Sequence, residues 1–160
     1  VSRETDPIID AIYRRAADLM RIDEAWLRHR IDGLEYPSHL TQNPLAEQLQ
    51  LVHYGPGQEY KAHHDFGFSQ ADNVHQGARF ATLLLYLNEG MEGGATSFPR
   101  YANAETFEGL DVVPQAGRAV LFYSQLPDGN LDDLSHHAAL PITKGEKWLL
   151  NLWIWDPLHD

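Results

Sequence analysis

The feature that most constrains the fold is a series of short strand-like segments over residues 49–157, most of them ended by glycine or proline. Residues 49–54 alternate between apolar and polar side chains, and the turn Gly-Pro-Gly follows at 55–57. Residues 79–88 are apolar and rich in β-formers, and a glycine-rich turn comes next. About eight such segments are predicted, a spacing that favours a double-sheet jelly roll, the double-stranded β-helix, over an open sheet.

The N-terminal part of the chain has a helical pattern instead. Residues 5–7, Thr-Asp-Pro, are typical of a helix start because they supply a capping side chain and a proline for the first turn. Apolar side chains then recur at helical spacing and predict a stripe that faces the core: Ile8, Ile12, Ala16, Leu19 and Met20. A second short helix is predicted from about residue 23, carrying Trp26 and Leu27.

These patterns predict a fold that is mainly β with N-terminal helices, in the α+β class. The 160 residues suffice for one domain with a substantial core and are too few for two comfortable ones. We therefore expect one domain over residues 1–160, with a helical part over 5–31, a loop over 32–48 and the jelly roll over 49–157.

Composition narrows the classes of function. Twelve Lys and Arg against 23 Asp and Glu give a net charge of −11, which argues against nucleic acid as a partner. No apolar run approaches the roughly 18 residues of a membrane span, so no membrane contact is expected within this chain. The chain has no cysteine, which excludes thiolate metal sites and cysteine nucleophiles. Any metal must be bound by His, Asp and Glu.

His63 and Asp65 are the first candidate metal ligands. In a strand, residues two apart share a face, so both side chains point the same way and His64 points away. A second imidazole from a distant strand would complete the 2-His-1-carboxylate triad that leaves three open positions on non-haem Fe(II). Nine histidines allow such spacing by chance, so this pair alone is a weak indication.

The last strand-like segment carries a lysine on one face. In residues 147–153 the odd positions place Lys147, Asn151 and Trp153 on the same side. A lysine on the interior face of a barrel strand is unfavourable unless it pairs with an anion. The odd positions of residues 147–153 include no acidic residue, which makes a ligand carboxylate the natural partner.

Three parts of the chain resemble prolyl 4-hydroxylases. These are residues 54–66 with the His-x-Asp pair, residues 79–99 with Gly93-Gly94, and residues 137–153 from His-Ala-Ala to the second tryptophan. Their order is consistent over roughly residues 49–157, which is more specific than any single motif. The chain is therefore identified as similar to the Fe(II)- and 2-oxoglutarate-dependent dioxygenases of that family.

The resemblance implies a role for each matching residue. His63, Asp65 and His137 would bind Fe(II) and serve as the catalytic centre. Lys147 would pair with the distal carboxylate of 2-oxoglutarate, helped by the hydroxyl of Tyr54. Further cosubstrate-binding positions are Thr82, Leu84, Tyr86 and Asn151. Substrate-binding positions are Tyr60, Arg79 and Trp153.

Other histidines and aromatic residues receive ordinary interpretations. Adjacent strand residues face opposite ways, so His136 is expected at the surface beside His137, and His64 is expected to point outward. Solvent or packing roles are expected for His29, His39, His53, His75 and His159. Core aromatic positions are expected for Phe122, Trp148 and Trp155.

The resemblance implies 4-hydroxylation of prolyl residues in a peptide or protein, with O2 as oxidant, succinate and CO2 as products, and ascorbate as reductant. Aromatic Tyr60 and Trp153 with Arg79 would suit an extended proline-rich chain. Alternatives are a hydroxylase of a free amino acid or small molecule, and a non-catalytic jelly-roll binding module. A zinc hydrolase could use the same ligands but leaves Lys147 unexplained. Family domains have further elements before the matched part, so this chain is expected to lack some of them.

Overall fold

The structure is a computed structural model that describes residue 3 and residues 6–28, 44–66 and 78–156. Within these ranges it contains one α-helix, two short 3-10 helices and ten β-strands. The helix, α1, is Pro7–Met20, and the 3-10 helices are Glu24–Leu27 and Asp133–Ser135. The strands are β1 Gln50–Tyr54, β2 Tyr60–His63, β3 Arg79–Tyr86, β4 Glu92–Gly93, β5 Thr96–Phe98, β6 Leu110–Val112, β7 Ala119–Tyr123, β8 His137–Ala139, β9 Ile142–Lys144 and β10 Lys147–Trp155.

The strands form two four-stranded antiparallel sheets and one small ribbon. The first sheet has the order β1-β10-β3-β7, the second has the order β2-β8-β5-β6, and β4 pairs with β9. Neighbours such as β1 and β10 are far apart in sequence, as the crossing connections of a jelly roll require. The predicted mainly-β jelly roll with an N-terminal helix is therefore confirmed.

Alternation along β10 divides the core into two layers. On its outer face, apolar side chains pack against α1: Leu150, Leu152 and Ile154 of β10 meet Tyr13, Ala16 and Ala17 of the helix. On its inner face, Leu149 packs with Leu84 and Tyr86 of β3 between the two sheets. The period-2 geometry of one strand thus gives the helix one face and the inter-sheet space the other.

Helix α1 begins where the sequence predicts. Asp6 is its N-cap and accepts a hydrogen bond from the backbone N–H of Ile8 at 2.7 Å. The predicted core stripe is confirmed at Ile12, Ala16 and Met20, which pack in or against the core. It is wrong at Ile8 and Leu19, which are 73% and 54% exposed. The buried face of α1 is centred on Tyr13. Its hydroxyl donates to the Glu47 carbonyl at 2.9 Å and accepts from Leu49 N–H at 3.1 Å.

Three short strands were not predicted. β4 lies in the glycine-rich turn expected after residue 88, β5 lies in the motif that follows it, and β9 lies in a segment for which no strand was predicted. Strands of two or three residues are too short to show alternation in sequence. The expected short second helix is confirmed as the 3-10 helix Glu24–Leu27.

Other predicted boundaries differ modestly from the structure. Residues 44–48 form no regular strand, as expected of the predicted loop, although Ala46 bridges to Ile154. The end of the helical part and most of the loop were expected at residues 29–43, and the end of the jelly roll was expected at residue 157. These positions lie outside the described residues. Among the helices that the structure describes, none has the length and apolar character to cross a membrane.

Candidate active site

The two histidine ligand candidates meet through the pairing of β2 with β8. His63 ends β2, His137 begins β8, and the antiparallel register places them directly opposite each other. Their ring centroids are 4.4 Å apart, as expected for cross-strand neighbours on one face. Asp65 lies two residues beyond His63, past the end of β2, and its carboxylate turns back to the same point. Ligand atoms of the three residues all lie within 4.8 Å of one another.

Backbone carbonyls fix the orientation of both imidazoles. His63 Nδ1 lies 2.8 Å from the carbonyl oxygen of Lys61, and His137 Nδ1 lies 2.9 Å from that of Ser135. A carbonyl can only accept, so Nδ1 is the donor in each of these hydrogen bonds, and Nε2 is the nitrogen left to bind a metal. Hydrogen bonds of this kind commonly orient metal-binding histidines.

The carboxylate of Asp65 is fixed through one of its oxygens. Oδ2 accepts hydrogen bonds from Thr82 Oγ1 at 2.8 Å and from Trp153 Nε1 at 3.0 Å. Oδ1 faces His63 Nε2 at 3.3 Å. Two imidazoles and one carboxylate in this arrangement are the donor set of a non-haem Fe(II) facial triad, so the residues present fit that metal.

The protonation states suit metal binding. Burial raises the pKa of Asp65, but hydrogen bonding to His63, the charge of His137 and the Trp153 and Thr82 donors outweigh it and hold the pKa at about 2. Burial lowers the pKa of His137, which the Asp65 charge offsets only in part. At neutral pH the site therefore offers an ionised carboxylate and a neutral His137 imidazole.

A cavity of about 620 Å³ opens beside this centre, between the two sheets. Its walls carry the three ligand residues, apolar side chains such as Leu84 and Leu149, and the polar side chains of Tyr54 and Thr96. Four of the predicted cosubstrate positions line it directly: Tyr54, Thr82, Leu84 and Asn151. The volume and mixed lining are typical of a site for a small ligand.

Lys147 lies behind the cavity wall at the Tyr54 end. Its side chain is fully buried, its Nζ donates to the Gly94 carbonyl at 2.7 Å, and it lies 4.8 Å from the centre of the Tyr54 ring. Burial lowers its pKa to about 8. Among the described residues, no carboxylate lies within ion-pairing distance of the ammonium, so an anion that enters this end would find an unpaired cation.

Tyr86 supports the cavity wall and does not line it. Its hydroxyl donates to Thr96 Oγ1 at 2.7 Å, and Thr96 in turn lines the cavity. Asn151 lies on the wall beside Gln50, and its amide is 3.3 Å from the Gln50 side-chain oxygen. Thr96 was not singled out in the sequence, although it lies in the motif that follows Gly93-Gly94.

The three predicted substrate positions lie together on the cavity lining, near its mouth. Tyr60 is 54% exposed and packs edge-on against the His63 ring at 4.2 Å. The Arg79 guanidinium lies 4.0 Å from the centre of the Trp153 ring, and Glu47 binds that guanidinium at 2.7 and 3.2 Å.

Comparisons with known proteins agree with this geometry. The sequence model of a protein family, the 2OG-Fe(II) oxygenase superfamily, matches residues 49–155, from the residue before β1 to the end of β10. That range includes all three ligand candidates and Lys147.

The chain belongs to the 2OG-Fe(II) oxygenase superfamily.

Within this superfamily the chain is prolyl 4-hydroxylase-like, because prolyl 4-hydroxylases are among its relatives. A probable prolyl 4-hydroxylase 8 of Arabidopsis thaliana is 40% identical over 120 residues, covering 68% of this chain and 41% of the relative. The prolyl 4-hydroxylase subunit alpha-1 of Gallus gallus is 38% identical over 113 residues, covering 68% of this chain and 20% of the relative. The chain thus spans about two fifths or less of the length of these curated relatives.

A solved structure shows the same architecture. The viral collagen prolyl hydroxylase of Paramecium Bursaria Chlorella virus-1, as its 2OG complex, has a TM-score of 0.69 and 27% sequence identity to this oxygenase. The match covers 94% of this chain and 72% of the viral one. The family name specifies Fe(II) and 2-oxoglutarate, and the His-Asp-His triad of the structure agrees with the iron.

Three of the histidines expected outside the metal site are among the described residues. His64 and His136 stay outside the cluster of the three ligand candidates, in agreement with the prediction that they face away from it. Both are partly buried, because their rings pack 4.7 Å apart between centroids. His64 also stacks on Phe66 at 4.5 Å. His53 is exposed, as predicted, and stacks on Trp148. His29, His39, His75 and His159 lie outside the described residues.

Trp155 was expected in the core but lines the cavity, and its Nε1 donates to Glu47 at 2.9 Å. Phe122 packs against the buried rings of Phe98 at 5.2 Å and His137 at 4.7 Å, as expected of a core aromatic residue. Trp155 has the same odd parity as Lys147 along β10, a pattern that could have located it. Glu47 had no indication in the sequence, because it lies outside any strand.

Proposed function

We propose that this oxygenase hydroxylates prolyl residues of peptides or proteins at the 4-position, with Fe(II), 2-oxoglutarate and O2. The observation that carries the proposal is the His63–Asp65–His137 triad on the cavity lining, with the buried Lys147 ammonium 4.8 Å from the ring of Tyr54, which lines the same cavity. The prolyl hydroxylases among the relatives support proline as the target. One catalytic domain over residues 1–160 is part of this proposal, as is ascorbate as the reductant.

The residues have separable roles in this proposal. His63 and His137 would bind Fe(II) through Nε2, and Asp65 through the oxygen that Thr82 and Trp153 leave free. When bound, iron and 2-oxoglutarate together supply the oxidative chemistry that uses O2 and yields succinate and CO2. Lys147 would neutralise the distal carboxylate of 2-oxoglutarate, and the Tyr54 hydroxyl would add a directional hydrogen bond.

The mouth of the cavity suits an extended proline-rich chain. Tyr60, Trp153 and Trp155 offer aromatic faces, and such faces bind polyproline II segments because these chains lose little entropy on docking. Arg79 is held by Glu47 and Trp153, so its planar side chain forms a fixed part of that surface. The net charge of −11 argues against a nucleic acid in the same place.

A decarboxylation assay tests the proposal. We expect succinate release from 2-oxoglutarate to rise on addition of a proline-rich peptide, and the peptide to gain the mass of one oxygen atom at a prolyl residue. The same assay with free proline separates a peptide hydroxylase from a small-molecule hydroxylase. If iron-dependent turnover occurs with free proline and not with the peptide, the protein is a small-molecule hydroxylase. If neither substrate supports turnover, a non-catalytic binding module is favoured.

A further inference from the structure

The two donors that fix Asp65 come from neighbouring strands of the first sheet. Thr82 on β3 and Trp153 on β10 are direct partners in the register of that sheet. Both donate to the same oxygen, Oδ2, at 2.8 and 3.0 Å. Because the sheet fixes the two donors relative to each other, they select one orientation of the carboxylate and leave Oδ1 toward His63.

The indole of Trp153 is itself held in place from the side of the cavity mouth. The Arg79 guanidinium lies 4.0 Å from its ring centre, and Glu47 fixes that guanidinium with two hydrogen bonds. An indole restrained on its face has little freedom to turn its N–H away from Asp65. The tryptophan therefore contacts the mouth through its ring and the metal carboxylate through its nitrogen.

We propose that Trp153 is a positioning residue of the metal centre. Its N–H, together with the Thr82 hydroxyl, occupies Oδ2 and makes Asp65 bind the metal through Oδ1 alone. A carboxylate that binds through one oxygen leaves one more coordination position than a bidentate carboxylate. A facial triad needs three open positions, two for the chelating 2-oxoglutarate and one for O2.

A metal titration tests this role without any turnover. The variant Trp153→Phe keeps an aromatic ring against Arg79 and removes only the N–H. With Co(II) as the probe, we expect its affinity to fall by roughly 10–100-fold, the range for loss of a partner that orients a metal ligand. We also expect a change in the visible absorption band, because a carboxylate that binds through both oxygens alters the ligand set and geometry around Co(II).

The chain offers a control tryptophan on the opposite face of β10. Trp148→Phe changes a residue of β10 that stacks on His53 and does not line the cavity. Its Co(II) affinity and spectrum should equal those of the parent protein. An equal loss of affinity in Trp148→Phe would overturn the proposal, because the effect would then come from general packing of the aromatic residues.

Thr82→Val provides a second, independent variant. It removes the other donor to Oδ2 with little change in volume and should shift the Co(II) band in the same direction as Trp153→Phe. Parent-like affinity and spectrum in both variants would refute the positioning role. If Trp153→Phe does not fold, as judged by far-UV circular dichroism, Thr82→Val decides the matter. The titration needs no peptide, so it stands or fails independently of the prolyl substrate.

Discussion

The two ends of the cavity differ in how completely the protein satisfies their polar groups. At the metal end, each histidine has a carbonyl partner at Nδ1, and Asp65 Oδ2 has two donors. At the other end, the Lys147 ammonium is fully buried with one carbonyl partner and no carboxylate of the described residues in ion-pairing distance. The metal end is thus organised before any metal binds, whereas the lysine end lacks its counter-charge until an anion enters.

The pKa values express the same difference. The pKa of Asp65 is lowered to about 2, so its ionised form is favoured in the folded chain. The pKa of Lys147 is lowered to about 8, so its ionised form is disfavoured there. Binding of an anion at the lysine end should therefore stabilise the buried ammonium, which has no counter-charge in the free protein. Substitutions of Lys147 test this effect.

The largest expected effect is at the metal end. His63→Ala should abolish 2-oxoglutarate turnover because it removes one of two imidazole ligands, while the fold persists because this side chain is only half-buried. Succinate release and a thermal melt measure the two properties. His53→Ala is the control, since His53 is an exposed histidine of β1 outside the site. Iron-dependent turnover in His63→Ala would contradict the assignment.

Lys147→Met should separate affinity from stability. Loss of the buried cation should weaken 2-oxoglutarate binding by about 10²–10³-fold, as when one partner of a buried ion pair is removed. The free protein should gain about 1–3 kcal/mol in free energy of unfolding at neutral pH, because one pKa unit corresponds to about 1.4 kcal/mol.

Calorimetric titration and denaturant unfolding give these two quantities for Lys147→Met. Lys144→Met, at an exposed lysine paired with Glu92, should change neither. Weaker binding without a gain in stability would mean that the ammonium is already neutralised in the free protein.

The pH dependence follows from the lowered pKa of Lys147. Below pH 8 the lysine is protonated and 2-oxoglutarate affinity should be constant; above pH 8 it should fall about tenfold per pH unit as the ammonium is lost. The stability of the free protein depends on pH in the opposite direction, because its free energy of unfolding rises with pH. The free folded chain binds fewer protons than the unfolded chain between about 8 and 10.5, so the destabilisation by Lys147 disappears as the pH rises through that range.

The affinity profile of Lys147→Arg checks this prediction. Arginine stays charged throughout this pH range, so its affinity for 2-oxoglutarate, although weaker, should remain flat above pH 8. A parallel fall in both proteins would assign the pH dependence to another group.

The last expected effect is on stability alone, at the glycine whose carbonyl holds Lys147. Gly94 has φ +72°, and a Cβ added there would lie 2.2 Å from Ile142 Cδ1. Gly57 has φ +78° with nothing within 4 Å of an added Cβ. Gly57→Ala should therefore cost about 1 kcal/mol from backbone strain alone, and Gly94→Ala about 2–4 kcal/mol from strain and overpacking. Equal losses of unfolding free energy in the two variants would show that the Ile142 side chain can move aside to accommodate a methyl group at position 94.

The sequence by itself determined the features that depend on local periodicity. Period 2 in a strand placed Lys147, Asn151 and Trp153 on one face of β10, and the structure places them there. The capping side chain and proline located the start of α1. Prediction from sequence failed where the pattern was too short, as in β4 and β9, and on α1 at Ile8 and Leu19, which are exposed although they lie at helical spacing.

Only the tertiary structure decided which side chains meet across long sequence separations. The β2–β8 register brought His137 to His63, and donors from β3 and β10 oriented Asp65 beyond the end of its strand. Glu47 reached Arg79 although nothing in its neighbourhood of the sequence indicates a partner. Strand periodicity is a property of a few consecutive residues, whereas a hydrogen bond between distant residues depends on how the sheets pack, and local sequence does not encode that packing.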